Sequence, residues 1–296
     1  MHPTFEKLMS AAGGVVITDG AWGTEFQKRG LPLGASPDLW NLTEPQKVEA
    51  VAAGYIEAGS QVILTNTFGC NAFTLKKSGN EDKVFELNKA GAEISKRVAG
   101  DKAAVFGSMG PTGILLMMGE VTPDEMFEAF KLQAEGLKAG GADAIAVETM
   151  CDPEEAAIAV RAAKTTCLPV VGNMVFDSGP NLDFTMMGTS VEDAAKALLD
   201  AGADMVGSNC GKGIEGFLDV CKRLHAVSGE KVWIKANLGL PEVVDGKTHY
   251  SQTPEQFASF IPALIEGGAG FIGGCCGTSP DVIRAVKKAV AAYQGK

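Results

Sequence analysis

Three cysteines stand where their sulfurs could bind one metal ion. Cys275 and Cys276 are adjacent in a glycine-rich stretch, residues 273–278, which reads GGCCGT, and Cys210 ends an apolar segment upstream. Glycine leaves the backbone free enough for both sulfurs of an adjacent pair to face one point. Zinc binds thiolates at about 2.3 Å, and three protein ligands with an open fourth position are typical of a catalytic site. The pattern predicts a catalytic zinc site on these three cysteines.

Other interpretations of the cysteines stay open. An adjacent pair can form a strained disulfide that acts as a redox switch, although that leaves Cys210 unexplained. The glycine-rich turn could bind phosphate, as the last strands of barrels often do, but no lysine follows it. Free cysteine is also one of the most buried residue types, and we prefer that interpretation for Cys70, Cys167 and Cys221.

Eight short apolar segments alternate with helical segments along the chain and must position these cysteines. The predicted strands are residues 15–19, 62–66, 104–109, 144–148, 170–176, 205–210, 232–237 and 270–275. The predicted helices are residues 44–58, 82–99, 123–139, 153–166, 190–201, 214–228, 253–266 and 279–292. Several helices begin with a polar residue followed by proline, and four end in glycine. This alternation predicts an α/β protein, a (β/α)8 TIM barrel that forms a single domain over residues 1–296. The alternative is an open doubly wound sheet, whose glycine fingerprint is missing after the first strand.

Polar and thiol residues end most of the predicted strands. In barrels of this kind the active site lies at the C-terminal ends of the strands. Strands six and eight are next-but-one neighbours in the ring, so Cys210 can converge with the adjacent pair. Burying polar groups is costly unless they are paired, so these residues predict a polar active site on one rim. The residues at or near these strand ends are Asp19, Asn66, Gly110, Glu148, Asn173, Asn209, Cys210, Asn237, Cys275 and Cys276.

Composition excludes some classes of partner. The chain carries 26 Lys and Arg against 36 Asp and Glu, a net charge of −10, which argues against nucleic acid as a partner. No apolar run reaches the length of a membrane span, so we expect no membrane association. Residues 1–14 lack the apolar stretch of a secretory signal. We expect a cytoplasmic protein whose seven cysteines are reduced or bind metal.

Six motifs suggest a family. They are DGAWGTE at residues 19–25, LTNTFG at 64–69, GPTG at 110–113, VET at 147–149, SNC at 208–210 and GGCCGT at 273–278. Over residues 15–290 the chain resembles the homocysteine methyltransferase family, most nearly the homocysteine-binding barrel of its cobalamin-dependent methionine synthase branch. The last two motifs are the most specific.

The resemblance implies zinc on the three cysteines and an S-methyltransferase that converts homocysteine to methionine by binding its sulfur to zinc as a thiolate. It implies that Asp19 and Glu148 hold the substrate ammonium and that backbone N–H groups of Gly20 and Ala21 hold its carboxylate. Two inward carboxylates repel each other unless a cation lies between them, which fits this role. Asn209 is expected to position the zinc or the substrate.

The methyl donor and the exact thiol are less constrained. This sequence contains no cobalamin-binding or folate-binding module, so methylcobalamin is expected to arrive on a separate corrinoid protein. Residues 115–119, which read LLMMG, could dock that protein, act as a lid, or pack against the barrel. Residues 235–239 read KANLG, where methionine-producing members usually have Pro-Asn, a small residue and Gly, so a thiol other than homocysteine stays open.

Three alternative functions remain at this point. One is an S-methyltransferase of the same fold that uses S-methylmethionine or another donor. Another is a metal-independent lyase or isomerase with Asp19 and Glu148 as acid and base. The third is a zinc-linked thiol redox sensor in which Cys275 and Cys276 oxidise.

Overall fold

A computed structural model describes residues 1–32, 34–244 and 247–295. Ten strands are present in the described part of the chain. They are β1 (Val16–Ile17), β2 (Val62–Leu64), β3 (Ala104–Met109), β4 (Ala144–Met150), β5 (Val170–Met174), β6 (Met205–Gly213), β7 (Val232–Asn237), β8 (Pro241–Val244), β9 (Lys247–Tyr250) and β10 (Ala269–Gly274).

Eight of these strands form one parallel sheet in the order β1-β10-β7-β6-β5-β4-β3-β2. This is the order of a barrel that is closed except at the seam between β1 and β2, so the predicted (β/α)8 TIM barrel is confirmed. The seam is bridged by the Gln61 N–H, which donates to Ile17 O at 2.7 Å, and by the Leu64 N–H, which donates to Asp19 Oδ2 at 2.7 Å. Asp19 therefore helps to close the barrel.

The helices cover the outside of the barrel. Proline occupies the first turn of many of them, where its missing N–H is harmless. They are α1 (Pro3–Ala11), α2 (Trp22–Lys28), α3 (Trp40–Thr43), α4 (Pro45–Ala58), α5 (Ala72–Lys76), α6 (Val84–Ala99), α7 (Pro123–Ala139), α8 (Pro153–Lys164), α9 (Val191–Asp200), α10 (Phe217–Ser228), α11 (Pro254–Ala258), α12 (Ile261–Glu266) and α13 (Pro280–Gln294).

Aromatic rings fill the lower part of the barrel, away from the cysteines. Helix α1 inserts Phe5, whose ring lies 5.8 Å from those of Phe106 and Phe271. Trp233 stacks on both of these rings at 5.7 Å. All four side chains are fully buried. This packed floor leaves the opposite end of the barrel for chemistry.

Several sequence predictions differ from the structure in detail. The helix predicted over residues 253–266 is split into α11 and α12, because Pro262 cannot donate a backbone hydrogen bond across the break. Cys167, predicted to be buried, is exposed, because it takes a left-handed conformation (φ 62°) in the turn after α8. Cys70 and Cys221 are buried, as predicted.

The strand ends are also shifted. Strands β1 and β2 end two residues earlier than predicted, so Asp19 and Asn66 lie in the loops that follow them. The antiparallel pair β8–β9, the two helices α2 and α3 and the closing helix α1 lie in segments for which no element was predicted.

No helix in the described ranges combines the length and the apolar character that crossing a lipid bilayer requires.

Candidate metal centre and substrate pocket

Cys210, Cys275 and Cys276 meet at the C-terminal end of the barrel. Their three Sγ atoms all lie within 4.8 Å of one another, and Cys210 Sγ is 3.9 Å from Cys276 Sγ. Sulfurs that bind one tetrahedral zinc at about 2.3 Å are about 3.8 Å apart. The predicted convergence of the sixth and eighth barrel strands is what the structure contains, and the spacing fits a zinc ion.

The local backbone turns the sulfurs toward this point. Cys210 and Gly211 both have positive φ, 65° and 71°, which is unusual for a residue with a side chain. Gly277, directly after the adjacent pair, has φ 80°, and a Cβ there would collide with the ring of Tyr250. Glycine is the residue that tolerates both the positive φ and the close approach of Tyr250 at position 277. Gly277 therefore helps to set the direction of the two sulfurs.

The electrostatics of the three thiols also suit a cation. Hydrogen bonds from Cys275 and Cys276 lower the pKa of Cys210 to about 3. The Cys210 sulfur in turn raises the pKa of Cys276 to about 12 and that of Cys275 well above its usual range. Each negative charge in the cluster therefore disfavours the next, because like charges at this distance repel each other. A divalent metal removes that repulsion and keeps coordinating thiols deprotonated.

Two asparagines fix the positions of the cysteines. Asn237, at the end of β7, donates to Gly211 O at 3.0 Å and accepts from the Cys276 N–H at 3.0 Å. It therefore joins β6, which carries Cys210, to the turn after β10, which carries Cys275 and Cys276. Asn209 Nδ2 lies 3.9 Å from Cys275 Sγ and 3.3 Å from Glu148 Oε2. Asn209 connects the cysteine cluster to the nearest carboxylate.

Glu148 lies on β4 beside this cluster. Its side chain accepts a hydrogen bond from the Ser108 hydroxyl and is largely buried. Burial raises the pKa of Glu148, and the positive charge of Lys235 offsets part of that effect. The next residue, Thr149, has a positive φ of 62° and its N–H donates to Asn209 Oδ1 at 2.7 Å. Asn209 thus supports an irregular, strained part of β4 directly beside Glu148.

Asp19 lies below the cysteines and is fully buried. Its Oδ2 accepts from Trp22 Nε1 at 2.6 Å and from the Leu64 N–H, and its Oδ1 accepts from the ammonium of Lys235. Lys235 is itself 2% exposed. Burial alone would lower the pKa of Lys235, but the negative charges of Asp19 and Glu148 outweigh it and raise that pKa.

Two backbone N–H groups in the loop after β1, those of Gly20 and Ala21, were predicted to bind the substrate carboxylate. They differ in the hydrogen bonds that they make. The Ala21 N–H already donates to Thr278 Oγ1 at 3.1 Å, and the Tyr55 hydroxyl donates to Ala21 O at 3.0 Å. The Gly20 N–H has no acceptor among the described residues. Helix α2 follows at once and begins without a side-chain cap, so the N–H groups of its first turn are also available.

A pocket of about 250 Å³ joins these groups into one site. It is lined by the three cysteines, by Gly20, Ala21 and the start of α2, and by Glu148 and Lys235, whereas Asp19 lies behind the lining. Asn209 does not line this pocket itself but contacts Glu148, which does. The structure thus brings the three cysteines, Gly20, Ala21, Glu148 and Asn209 to one end of the barrel, with Asp19 reached through Lys235 instead of directly. Of the other predicted rim residues, Asn66 lines the pocket, whereas Gly110 and Asn173 do not.

Lys235 was missed as a site residue from the sequence. The signal was present, because a lysine in the segment Val232–Asn237 interrupts an otherwise apolar strand that must face the barrel interior on alternate residues. A buried lysine needs a partner, and Asp19 is the nearest strand-end carboxylate.

Comparison with known proteins gives consistent matches. The family model for homocysteine S-methyltransferase matches residues 16–290. Methionine synthase from Mycobacterium leprae (strain TN) is 33% identical over 305 residues, which cover 97% of this chain and 25% of that protein. Methionine synthase from Mycobacterium tuberculosis (strain ATCC 25618 / H37Rv) is 32% identical, with 94% and 25% covered. The chain therefore spans about a quarter of the length of these curated relatives.

Solved structures agree on the fold. The homocysteine methyltransferase MmuM from Escherichia coli, in its metallated form, superposes with a TM-score of 0.78 at 22% identity, covering 95% of this chain and 99% of that one. Its oxidized form gives a TM-score of 0.79.

Proposed function

The chain belongs to the homocysteine S-methyltransferase family, and from this premise we propose that it methylates homocysteine to methionine. In this proposal Cys210, Cys275 and Cys276 hold zinc, and a methylated corrinoid on a separate protein or domain is the methyl donor. The observation that carries the proposal is the convergence of three sulfurs within 4.8 Å at the open end of the barrel.

Zinc, when bound, supplies a Lewis acid that keeps the substrate thiol deprotonated at neutral pH. The three cysteine thiolates would already outweigh the two positive charges of zinc, and a substrate thiolate would make the centre more negative still. Such an anionic centre would leave electron density on the substrate sulfur and keep it nucleophilic. A centre of three neutral histidines would be positive and would reduce that nucleophilicity.

The remaining residues bind and orient the amino acid. We assign the substrate ammonium to Glu148, which faces the pocket beside the cysteines and is held by Ser108 and Asn209. We assign part of the carboxylate binding to the Gly20 N–H and to the uncapped first turn of α2. Ala21 shapes this loop, because its own N–H is donated to Thr278.

Methyl transfer needs a clear approach to the sulfur. One S–C bond forms from a sulfur lone pair while the bond between the methyl carbon and its donor breaks, and the bonding electrons stay with the donor. The cysteines lie at the open end of the barrel, where loops carry exposed apolar side chains. Met117 is 75%, Met186 63% and Leu240 61% exposed. We place the donor protein over this end of the barrel, where it would cover these side chains. Leu116, in contrast, packs into the core.

A direct assay tests this proposal. The purified chain, loaded with zinc, is incubated with homocysteine and either methylcobalamin or S-methylmethionine, and methionine is measured. Methionine from methylcobalamin supports the corrinoid donor. Methionine from S-methylmethionine alone supports the alternative donor, and the absence of methionine with both donors contradicts the proposed reaction.

A further inference from the structure

Lys235 is the one cationic side chain among the described residues that line the pocket. It lies near the end of β7, between its two neighbouring strands, opposite Asn209 of β6 and Gly273 of β10. These neighbours place it one step below the cysteines and next to the residue that contacts Glu148. A positive and a negative side chain therefore share the floor of one pocket.

Asp19 has little capacity left for a substrate. It is fully buried, and three donors already reach its two oxygens: Trp22 Nε1, the Leu64 N–H and the Lys235 ammonium. The resident cation Lys235 thus occupies the place beside Asp19 where a substrate ammonium was expected from the sequence. Glu148 is left as the carboxylate that the pocket offers to a second cation.

Lys235, in contrast, has donors to spare. An ammonium carries three hydrogens, and among the described residues Asp19 is the acceptor for one of them. The side chain is almost completely buried, so the other hydrogens have little access to bulk solvent. Buried charged donors that face a pocket favour an anionic acceptor, because charge-assisted hydrogen bonds are strong where the dielectric constant is low.

We propose that Lys235 binds the substrate carboxylate while Glu148 binds its ammonium, so that the pocket selects thiols that are α-amino acids. Asp19 is then a positioning residue, which holds Lys235 through their ion pair and does not touch the substrate. This inference rests on the proposed function, in that the sulfur of the same molecule is taken to lie at the cysteines.

The experiment measures binding without a methyl donor. Calorimetric titration of the zinc-loaded chain uses homocysteine, 4-mercaptobutanoate, which lacks the ammonium, and 3-mercaptopropylamine, which lacks the carboxylate. In Lys235→Met, Kd rises by about tenfold or more for homocysteine and 4-mercaptobutanoate, the size expected for one charge-assisted hydrogen bond. Kd for 3-mercaptopropylamine stays as in the wild type. Glu148→Gln gives the opposite pattern, with 4-mercaptobutanoate unaffected.

A double variant separates binding from folding. Lys235→Met alone leaves Asp19 buried without its cation, which can destabilise the fold. Asp19→Asn combined with Lys235→Met removes both charges, and zinc content and thermal melting check its integrity. The proposal expects the same loss of carboxylate affinity in this double variant. Wild-type affinity for all three ligands, or an equal loss for all three, overturns it.

The two proposals fail in different ways. A wild-type chain that binds the three thiols with the expected pattern, but forms no methionine from any donor, contradicts the proposed reaction and leaves the role of Lys235 intact. Methionine formation together with unchanged affinities in the double variant contradicts the role of Lys235 alone.

Discussion

The sulfur atoms of Cys210 and Cys276 lie 3.9 Å apart although the residues are 66 positions apart in the chain. One lies on β6 and the other in the turn after β10, and the fold sets the distance between them. The spacing matches two ligands of one tetrahedral ion, which makes the metal content of the chain the first property to test.

Substituting Cys276 by serine should abolish stoichiometric zinc binding. The wild type should retain about one zinc per chain after gel filtration, and Cys276→Ser far less, because a catalytic site with three protein ligands loses one of them. Elemental analysis measures the ratio. Cys167→Ser is the matched control, since Cys167 is exposed in the turn after α8, away from the cluster. Equal zinc in both variants would contradict the assigned ligands.

Asn237 should tune zinc affinity without being needed for folding. It joins Gly211 of β6 to Cys276 with two hydrogen bonds of 3.0 Å, so Asn237→Ala lets the two ligand-bearing segments move apart. Loss of such supporting contacts typically weakens metal binding by about 10- to 100-fold. Competition with a chelator measures this change. Asn88→Ala is the control, because Asn88 makes two comparable hydrogen bonds, to the Cys70 and Val84 carbonyls, and does not line the pocket. A similar loss in both variants would mean that the effect is general destabilisation.

Part of this site follows from the sequence, for physical reasons. The alternation of buried strands and capped helices predicts a barrel. Because a barrel places the C-terminal ends of its strands on one rim, the sequence also predicts that Cys210 and Cys275 lie close together. Side-chain contacts across the barrel could not be predicted in this way. The Leu64 N–H, at the seam beside β1, binds one oxygen of Asp19, and the other oxygen pairs with Lys235. No local sequence pattern encodes these contacts, so the sequence could not tell whether Asp19 faces a substrate or Lys235.

Other features were missed because tertiary contacts decide them. Helix α1 is stabilised by the burial of Phe5 against rings from β3 and β10. No local sequence pattern predicts this contact. The exposure of Cys167 follows from the left-handed turn after α8 and not from its residue type. The usual burial of free cysteine had predicted a buried side chain at this position.

Binding of the substrate ammonium should weaken in mild acid. Burial raises the pKa of Glu148 above its ordinary value of 4.5, so the carboxylate is lost at a higher pH than that of an exposed glutamate. The anion binds the ammonium, and affinity therefore falls as the pH drops through this raised pKa. The measurement is the ratio of Kd for homocysteine in the wild type to Kd for homocysteine in Glu148→Gln against pH, since the titration of the ligand and of the metal centre cancels when one ligand is compared in both proteins. The ratio should lie below one near neutral pH and rise toward one in acid. A ratio that does not change with pH would exclude Glu148 from this role.

Arg223 should contribute stability that depends on pH. Its guanidinium makes two hydrogen bonds of 2.7 Å to Glu192 and one of 2.8 Å to Asp183, joining α10 to α9 and to the loop after β5. The pKa of Glu192 is lowered to about 2 by these bonds, so their contribution is complete above about pH 4.5 and is lost as the pH falls toward 2. Glu192 is 40% exposed, which limits the effect to about 1 kcal/mol or less.

Urea denaturation of Glu192→Gln and the wild type checks this expectation. The difference in free energy of unfolding should be present at pH 7 and shrink below pH 4. Arg284→Ala, which removes an exposed pair with Asp281 within one helix, should change stability very little at either pH. A Glu192→Gln difference that is independent of pH would contradict the linkage.

X-ray absorption at the zinc edge tests the central claim most directly. The zinc-loaded chain should show three sulfur neighbours at about 2.3 Å, from Cys210, Cys275 and Cys276, and a fourth sulfur when homocysteine is added. In Cys276→Ser the sulfur count should fall. A zinc environment without sulfur, or one that homocysteine leaves unchanged, would contradict the account of this pocket as a metal site that binds a thiol substrate.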